Sequence, residues 1–444
     1  MTTAGGVQAH AERLASLLAG GRAVLDALPR KPLRSASEAA DAATIIEAAR
    51  SARAAFLRQY VEDVYRSLTS GYTRFLRADE LVYTAAEWFP GLTPSRAEVA
   101  AERERLQKDK DGVEVDQGLF LSAVLSHPRA GLHLLHAMLR PRDESLERLE
   151  HFVRTGRADI GSTVVQREGR AGYVFHANPG YLNAEDDSTT DSLEIATDLV
   201  ILDPSIEVGV LRGAEVDHPK YQGRRVFNAG INLTQIYHGQ LSYLFYLNRD
   251  LGYVNKLYRG VSGPEFNAGE IEATLETPWI AAVESFAIGG GCQLLLVMDR
   301  VLAERGSYFS LPARKEGIIP GAANLRLPRF VGDRLTRSAI LFDEQFAADS
   351  PNGRLLCDEV VAPGEMDAAL HRAVESLTGS GVVSASGNRK AIRVGQEPID
   401  VFRQYMAVYA REQASCHFSP QLIDNLERHW NAHQRTVKER SSTP

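Results

Sequence analysis

The chain has 444 residues, with 50 basic and 57 acidic side chains and a formal charge of −7. At roughly 100–200 residues per domain, this length predicts two or three domains, and the acidic excess argues against a general nucleic-acid-binding protein. The three cysteines form no CxxC pair, which excludes a zinc ribbon and a cysteine-ligated cluster. No apolar run approaches the ~20 residues that span a bilayer, and the N-terminus lacks the apolar core of a signal peptide. We therefore expect a cytoplasmic protein with no metal, no membrane contact and no nucleic-acid partner.

Residues 1–162 are predicted to form an all-helical N-terminal domain. Ser35 and Glu38 have the spacing of a capping box, and apolar residues recur behind them at three- and four-residue steps. Pro94 suits the first position of a second helix, and Pro128 predicts a break in a later one. The helices predicted after the first one cover about 93–108, 117–138 and 144–155.

Residues 163–385 change character, because short apolar strands there alternate with helices, which indicates an α/β domain. Paired strands are predicted around the turn at Glu168 and Gly169. The predicted strands cover 163–166, 172–176, 206–211, 225–227, 279–283, 301–303 and 308–310, and a helix covers 192–202. Residues 386–444 are predicted to be C-terminal helices. The helices predicted in the last part of the chain cover 365–377, 400–412 and 419–433.

Two glycine-containing segments carry the clearest chemical signal. They are Phe-Asn-Ala-Gly-Ile-Asn-Leu at 227–233 and Ala-Ile-Gly-Gly-Gly-Cys-Gln at 287–293. Each places glycine between a predicted strand and a predicted helix, which exposes backbone N–H groups at a helix N-terminus. Two such turns that face each other form an oxyanion hole, although two tight turns packed together would give the same pattern. The sequence contains no GxGxxG fingerprint, P-loop, HExxH or GxSxG motif.

These two segments, followed by Tyr-Phe-Ser-Leu-Pro-Ala-Arg-Lys-Glu-Gly at 308–317, resemble the crotonase (enoyl-CoA hydratase/isomerase) superfamily from about 165 to 385. The resemblance implies an α/β fold, a crotonase-type spiral of ββα units with a helical N-terminal domain and C-terminal helices. It also implies that the N–H groups of Ile231 and Gly290 bind the thioester oxygen of an acyl-CoA, with Ala229 and Asn232 beside the substrate. Each N–H would stabilise an enolate oxygen by about 2.7–4 kcal/mol.

The departures from the superfamily pattern concern its two catalytic carboxylates. Gln293 and Ala313 stand where the hydratases have glutamate. An amide and a methyl group cannot supply the general acid and base that hydration requires. Glu316 lies three residues beyond Ala313, roughly 4.5 Å along a helix axis, and is expected to be misplaced for this purpose. The sequence therefore argues against a simple hydratase.

Both departures, together with the long helical N-terminal domain, resemble one group within the superfamily. Its members convert 3,5-dihydroxyphenylacetyl-CoA and O2 to 3,5-dihydroxyphenylglyoxylate and CoA in antibiotic biosynthesis, and they use neither a metal nor a flavin. The resemblance implies a benzylic carbanion that reduces O2 directly, so no cofactor is needed. It also implies an apolar oxygen pocket lined by Leu233, Ala313 and Ile318, where alanine in place of glutamate leaves space.

Further site residues follow from the resemblance, and each has an ordinary structural alternative. Glu185 would hold a ring hydroxyl or take a proton, unless it belongs to a solvated acidic turn. Arg249 would bind a hydroxyl or stabilise charge, unless it forms a surface ion pair. His218 and Arg225 would contact CoA, unless they lie in a solvated basic loop. Gln293 would donate to substrate, peroxide or water.

Assembly and the competing functions complete the prediction. The resemblance implies a homotrimer or hexamer, with the C-terminal helices over the active site or against a neighbouring subunit. The aromatic stretch at 234–260 is predicted to be a packed lid or a subunit contact. The alternative functions are another enolate reaction, such as isomerisation or thioester hydrolysis, and a non-catalytic scaffold that binds CoA thioesters.

Overall fold

The computed structural model describes residues 4–379 and 381–437. The predictions made for 1–3, 380 and 438–444 lie outside these residues. The α-helices of the described chain are α1 Ala4–Ala27, α2 Ala36–Leu68, α3 Ala78–Trp88, α4 Arg96–Arg103, α5 Val115–Ser126, α6 Pro128–Leu139, α7 Asp143–Thr155, α8 Asp187–Leu202, α9 Leu233–Tyr237, α10 Leu244–Leu251, α11 Tyr253–Arg259, α12 Gly290–Leu295, α13 Ala313–Glu316, α14 Ala323–Arg326, α15 Pro328–Phe342, α16 Met366–Thr378, α17 Val382–Gln396, α18 Ile399–His417 and α19 Pro420–Trp430.

The strands of the described chain form three sheets. They are β1 Arg157–Ile160, β2 Thr163–Glu168, β3 Ala171–His176, β4 Val208–Gly213, β5 Val261–Ser262, β6 Thr274–Leu275, β7 Trp279–Val283, β8 Phe286–Ile288, β9 Arg300–Glu304, β10 Tyr308–Ser310, β11 Phe346–Ala347 and β12 Glu359–Val361. The largest sheet has the order β1-β2-β3-β4-β7-β9-β12. Its first three strands are antiparallel, and the pairs from β3 to β12 are parallel. The smaller sheets are β11-β10-β8 and β5-β6.

The chain divides into two compact units. Among the described residues, one unit consists of 4–138, 234–247 and 400–435, and the other consists of 139–233, 248–379, 381–399 and 436–437. The first unit therefore differs from the predicted domain 1–162, because it ends earlier and takes in two later segments. The sequence pattern could not indicate this difference, because segments of the α/β unit separate the segments of the helical unit along the chain.

The helical unit forms where the sequence places its capping and breaking residues. The Ser35 hydroxyl accepts from the Glu38 N–H while the Glu38 carboxylate accepts from the Ser35 N–H, so the predicted capping box is confirmed. The predicted break at Pro128 is also confirmed, since α6 begins there. The helix start predicted at Pro94 is wrong by two residues. The Thr93 hydroxyl donates to Val82 O, and Ser95 caps α4 instead.

In the α/β unit, helix α8 and the large sheet bury a common apolar core. Twelve of the sixteen residues of α8 are buried, as are all five residues of β7. Trp279 packs directly over Gly209 of the neighbouring strand, where a β-carbon would lie 2.4 Å from the indole ring. Only glycine leaves room for this contact, which fixes β4 against β7 in the middle of the sheet.

A buried carboxylate joins several helices within the same unit. Glu397, directly after α17, accepts hydrogen bonds from Arg259, Arg326 and Arg329 at 2.8–3.0 Å. Burial alone would raise the pKa of Glu397, but Arg326 and the other two guanidinium groups outweigh it and lower the pKa to about 2. The three arginines belong to α11, α14 and α15, so their ion pairs with Glu397 link these helices to the end of α17.

Two local predictions in the α/β unit differ from the structure. Strand β1 lies within the part predicted to be helical, and it forms a hairpin with β2. The strand predicted at 225–227 is wrong, because only one bridge forms there, between Glu215 and Arg225. The amide of Asn183 donates to the carbonyl of Val226 at 2.8 Å, so a side chain replaces the strand partner that the pattern suggested.

Candidate active site

The first glycine turn is held by a bridge to Glu185. The Glu185 N–H donates to Gly230 O at 2.7 Å, and the Asn232 N–H donates to Glu185 O at 2.8 Å. Successive N–H groups of an extended chain point in opposite directions, so the N–H of Ile231 faces away from this bridge. The Asn228 side chain accepts from the Gly230 N–H at 2.6 Å and fixes the turn. Ile231 thus presents an N–H on the outer side of a rigid turn.

The second turn lies directly against the first. Helix α12 begins at Gly290. The first N–H groups of a helix have no acceptor within it, so the Gly290 N–H is not bonded inside α12. A β-carbon on Gly230 would lie 3.2 Å from Gly290 N and 2.9 Å from Ile288 O. The backbones of the two turns therefore touch, and the Ile231 and Gly290 N–H groups belong to adjoining turns. This arrangement suits a pair of donors for one oxygen atom.

A buried cluster of charged and polar side chains lies beneath the Gly290 turn. The Glu185 carboxylate accepts from Arg249 Nε at 2.8 Å and Nη2 at 3.0 Å, from Asn228 at 2.8 Å, and from the Tyr253 hydroxyl. The same guanidinium donates to Gln293 Oε1 at 2.8 Å and to Gly290 O at 2.9 Å. Arg249 therefore connects the carboxylate to the glycine turn.

The burial of this cluster excludes the ordinary alternatives for Glu185 and Arg249. Glu185 is 0% exposed and Arg249 is 4% exposed, so neither a solvated turn nor a surface ion pair describes them. Burial alone would raise the pKa of Glu185, but Arg249 and Tyr253 outweigh it and lower the pKa. A carboxylate held ionised by four donors is a weak base, since its proton affinity has been reduced.

The orientation of Gln293 follows from its partner. Arg249 has only donors, so the side-chain oxygen of Gln293 must face it and the amide Nε2 faces elsewhere. A β-carbon on Gly321 would lie 2.4 Å from this oxygen and 2.5 Å from Asp250 Oδ2. The close approach of Gly321 restricts the space around the oxygen. Gln293 is thereby fixed with two N–H donors available on its other side.

The third segment forms the short helix α13. Ala313 is buried, and the Ile318 N–H donates to Ala313 O at 3.0 Å, so these two residues of the predicted oxygen pocket share one turn. Gly317 ends the helix in the left-handed region at φ +79°. Leu233 is buried at the start of α9. The convergence of Leu233 with the other two residues on an oxygen molecule stays a prediction.

Comparison with known proteins identifies the family. The family model for enoyl-CoA hydratase/isomerase matches residues 173–393. A (3,5-dihydroxyphenyl)acetyl-CoA 1,2-dioxygenase of Amycolatopsis orientalis is 47% identical over 393 residues, which are 88% of this chain and 89% of that protein. This chain belongs to the enoyl-CoA hydratase/isomerase family.

More distant family members establish the fold. A short-chain-enoyl-CoA hydratase of Clostridium acetobutylicum is 24% identical over 54% of this chain and 84% of its own. The crystal structure of an enoyl-CoA hydratase/isomerase from Xanthobacter autotrophicus Py2 aligns with a TM-score of 0.51 at 18% identity, over 62% of this chain and 96% of that one. The predicted crotonase-type fold is confirmed.

The remaining residues predicted to contact substrate lie in the loop after β4 and in the first glycine turn. His218 accepts from the Lys220 N–H, and Arg225 lies over the ring of Phe175 at 5.5 Å. Both residues are half-buried and lie in the loop after β4. Ala229 is half-buried beside this loop, whereas the Asn232 amide donates to Asp186 at 3.3 Å. Contacts of these residues with the acyl-CoA substrate remain predictions from the resemblance to the enoyl-CoA hydratase/isomerase family.

Sequence reasoning missed the partners that hold the site together. Asn228, Tyr253 and Asp250 all bond to members of the cluster, and none was among the predicted site residues. Asn228 did carry a signal, since asparagine two residues before a glycine commonly closes a local turn. Tyr253 carried none, because nothing in the sequence places position 253 against 185.

Two further properties of the described residues concern metal binding and membrane insertion. In residues 4–379 and 381–437, no group of three or more His, Cys, Asp or Glu side chains is arranged to hold a metal ion. None of the helices in this part of the chain combines the length and apolar composition that crossing a membrane requires.

Proposed function

We propose that this protein is a cofactor-independent dioxygenase that converts 3,5-dihydroxyphenylacetyl-CoA and O2 to 3,5-dihydroxyphenylglyoxylate and CoA. The observation that carries the proposal is the 47% identity to the Amycolatopsis orientalis dioxygenase over nearly the full length of both chains. The geometry of the adjoining glycine turns supports it, because the reaction begins with an enolate. The role in antibiotic biosynthesis, the cytoplasmic location and the homotrimeric or hexameric assembly belong to the same proposal.

The chain contributes to this reaction mainly by stabilising negative charge. Loss of one α-proton places charge on the thioester oxygen, where the Ile231 and Gly290 N–H groups would each contribute about 2.7–4 kcal/mol. The adjacent ring delocalises the same charge. Arg249 lies next to the Gly290 turn and fixes Gln293 at its edge. Gln293 would then donate to the substrate or to the bound peroxide.

The overall reaction balances without an external reductant. The carbanion transfers one electron to O2, and recombination forms a carbon–oxygen bond at the α-carbon. The outer peroxide oxygen then attacks the thioester carbonyl and expels CoA as the thiolate. Cleavage of the O–O bond and loss of the second α-hydrogen as a proton leave the α-keto acid. Both atoms of O2 enter this product.

The family's hydration reaction is disfavoured by the same residues. Hydration needs one group to activate water and another to protonate carbon. Ala313 has no ionisable group, and the side-chain oxygen of Gln293 already accepts from Arg249. Neither residue can transfer a proton as the hydratase glutamates do.

Oxygen uptake tests the proposal. Purified protein treated with a chelator and shown to contain no metal or flavin should consume one O2 for each CoA released from 3,5-dihydroxyphenylacetyl-CoA. Thioester consumption without O2, or only after iron or flavin is added, would contradict the proposal. Binding of the thioester without turnover would instead support a scaffold.

Enlarging Ala313 is expected to impair the use of O2 more than thioester binding. Ala313 is 3% exposed, so the extra carbons of Ala313→Leu would occupy the predicted oxygen pocket. The expected result is a fall in O2 consumption of about tenfold or more, equivalent to about 1.4 kcal/mol. Oxygen-electrode rates and thioester affinity by calorimetry would be compared.

Ala323 offers the matched control for this substitution. It is a buried alanine on α14, so Ala323→Leu reproduces the general cost of overpacking, about 1–3 kcal/mol. It should lower thermal stability without a selective effect on O2 use. Equal losses of O2 use and thioester affinity in Ala313→Leu would argue against the pocket assignment.

A further inference from the structure

The proposed reaction requires a base for the α-proton, and the charged cluster does not provide one. Glu185 is ionised and engaged by four donors, and Arg249 is a permanent cation. Gln293 and Ala313 replace the two carboxylates with which the hydratases transfer protons. The base must therefore lie elsewhere near the glycine turns.

Glu316 lies close to the second glycine turn. Its Oε2 is 3.9 Å from the position that a β-carbon would occupy on Gly289, the residue immediately before the Gly290 donor. In the described chain, no hydrogen bond or ion pair engages this half-buried carboxylate. The side chains of Glu185 and Arg249, in contrast, lie against Gly290 itself, 2.9 and 3.0 Å from where its β-carbon would be.

The geometry of α13 explains how Glu316 reaches this position. Ala313 and Glu316 are the first and last residues of the four-residue helix, on the same face. Side chains of a helix tilt towards its N-terminus, so a glutamate three residues later extends back over the earlier position. The axial separation from position 313 therefore does not keep the Glu316 carboxylate away from Gly289. Position 313 lacks the carboxylate of the hydratases. Glu316, three residues later in α13, places its carboxylate near the second glycine turn instead.

We propose that Glu316 is the catalytic base that removes the α-proton of the arylacetyl-CoA thioester. The inference rests on the proposed function, because it assigns a residue to the first step of that reaction. The C–H bond breaks, the proton passes to a Glu316 carboxylate oxygen, and the electron pair remains on the enolate held by Ile231 and Gly290. The protonated carboxyl then returns the proton to solvent. This step consumes no O2 and needs no other reagent.

The charges around Glu316 suit this role. Burial raises the pKa of Glu316 to about 7, with a further contribution from the negative charge of Asp343. Asp343 follows α15, which packs against α13, and it pairs with Arg314 at 2.9 Å and Lys315 at 3.5 Å. Arg314 and Lys315 thus form ion pairs with Asp343, and within the described residues neither forms one with Glu316. A base with a pKa near the working pH combines adequate strength with a useful ionised fraction.

Hydrogen exchange separates this proposal from the oxygen chemistry. Under nitrogen, wild-type protein should exchange the α-deuterons of dideuterated 3,5-dihydroxyphenylacetyl-CoA with solvent, at a rate that rises with pH through about 7. Glu316→Gln should slow this exchange by about 10²–10⁴-fold, with thioester affinity and melting temperature little changed. Glu316→Asp, a shorter carboxylate, should recover part of the rate.

Asp343→Asn tests whether the pH dependence of exchange reports on Glu316. If Glu316 had only a structural role, this substitution would not shift that pH dependence. Asparagine tolerates the left-handed conformation of this position, φ 61°, so the substitution mainly removes a negative charge. The pKa of Glu316 should fall, and the pH at which exchange begins should move lower. An unchanged pH profile in Asp343→Asn would contradict the proposal.

The results of these experiments separate the assignment of Glu316 as the base from the proposed dioxygenase function. Wild-type exchange rates in Glu316→Gln, with normal O2 consumption, would overturn the base assignment and leave the function intact. Exchange that depends on Glu316 in a protein that consumes no O2 would overturn the dioxygenase function and retain the base. Absence of both exchange and O2 consumption in the wild-type protein would overturn both.

Discussion

Replacing Glu185 with alanine should reduce the free energy of unfolding by about 3–5 kcal/mol and abolish turnover, because it leaves the buried Arg249 guanidinium without its main counter-ion. Asp250 would remain as a partner at 2.9 Å, but the hydrogen bonds from Asn228 and Tyr253 would also lose their acceptor. Urea denaturation followed by circular dichroism measures the loss of stability, and CoA release measures turnover.

An exposed ion pair in the same unit provides the control. Arg157 and Asp159 form a pair at 3.0 Å with side chains 55% and 67% exposed. Asp159→Ala should therefore change stability by no more than about 1 kcal/mol, because water already solvates both charges. A similarly small effect of Glu185→Ala would show that water or a rearranged Asp250 replaces the lost carboxylate, contrary to this account of the cluster.

The parts of the fold that sequence predicted best were set by local rules. The capping box at Ser35, the break at Pro128 and the strands at 279–283 and 308–310 depend on residues close together in the chain. Local rules could not show that 234–247 and 400–435 join the N-terminal helices, because that division depends on contacts between distant segments.

The same distinction holds within the site. The glycine motifs indicated the turns of Ile231 and Gly290, since glycine there satisfies a local backbone requirement. The environment of Glu185 could not be predicted, because its partners lie 43 to 68 residues away. The approach of the Glu316 carboxylate to Gly289 could not be predicted either, because axial distance along a helix does not show how far a tilted side chain reaches.

Replacing Gly230 with alanine should lower kcat/KM by about 10²–10³-fold, the usual consequence of losing one oxyanion donor. Gly230 has φ +85°, and a β-carbon would lie 2.9 Å from Ile288 O and 3.2 Å from Gly290 N. The methyl group must therefore push the two turns apart and misalign their N–H groups. Steady-state kinetics and anaerobic α-hydrogen exchange should fall together, because both require the enolate.

A substitution at Gly169 separates the effect of backbone strain from the effect of the clash at Gly230. Gly169 also has positive φ, +59°, but a β-carbon there would meet nothing within 4 Å. Gly169→Ala should cost about 1–2 kcal/mol of stability from the left-handed conformation and leave kcat/KM unchanged. If Gly230→Ala lost only as much stability as Gly169→Ala and retained full exchange activity, the adjoining turns would not be the oxyanion hole. Gly169→Ala and Gly230→Ala share the backbone strain, but only Gly230→Ala adds a contact with Gly290. A loss of exchange in Gly230→Ala alone would therefore show that enolate formation depends on the spacing of the two turns.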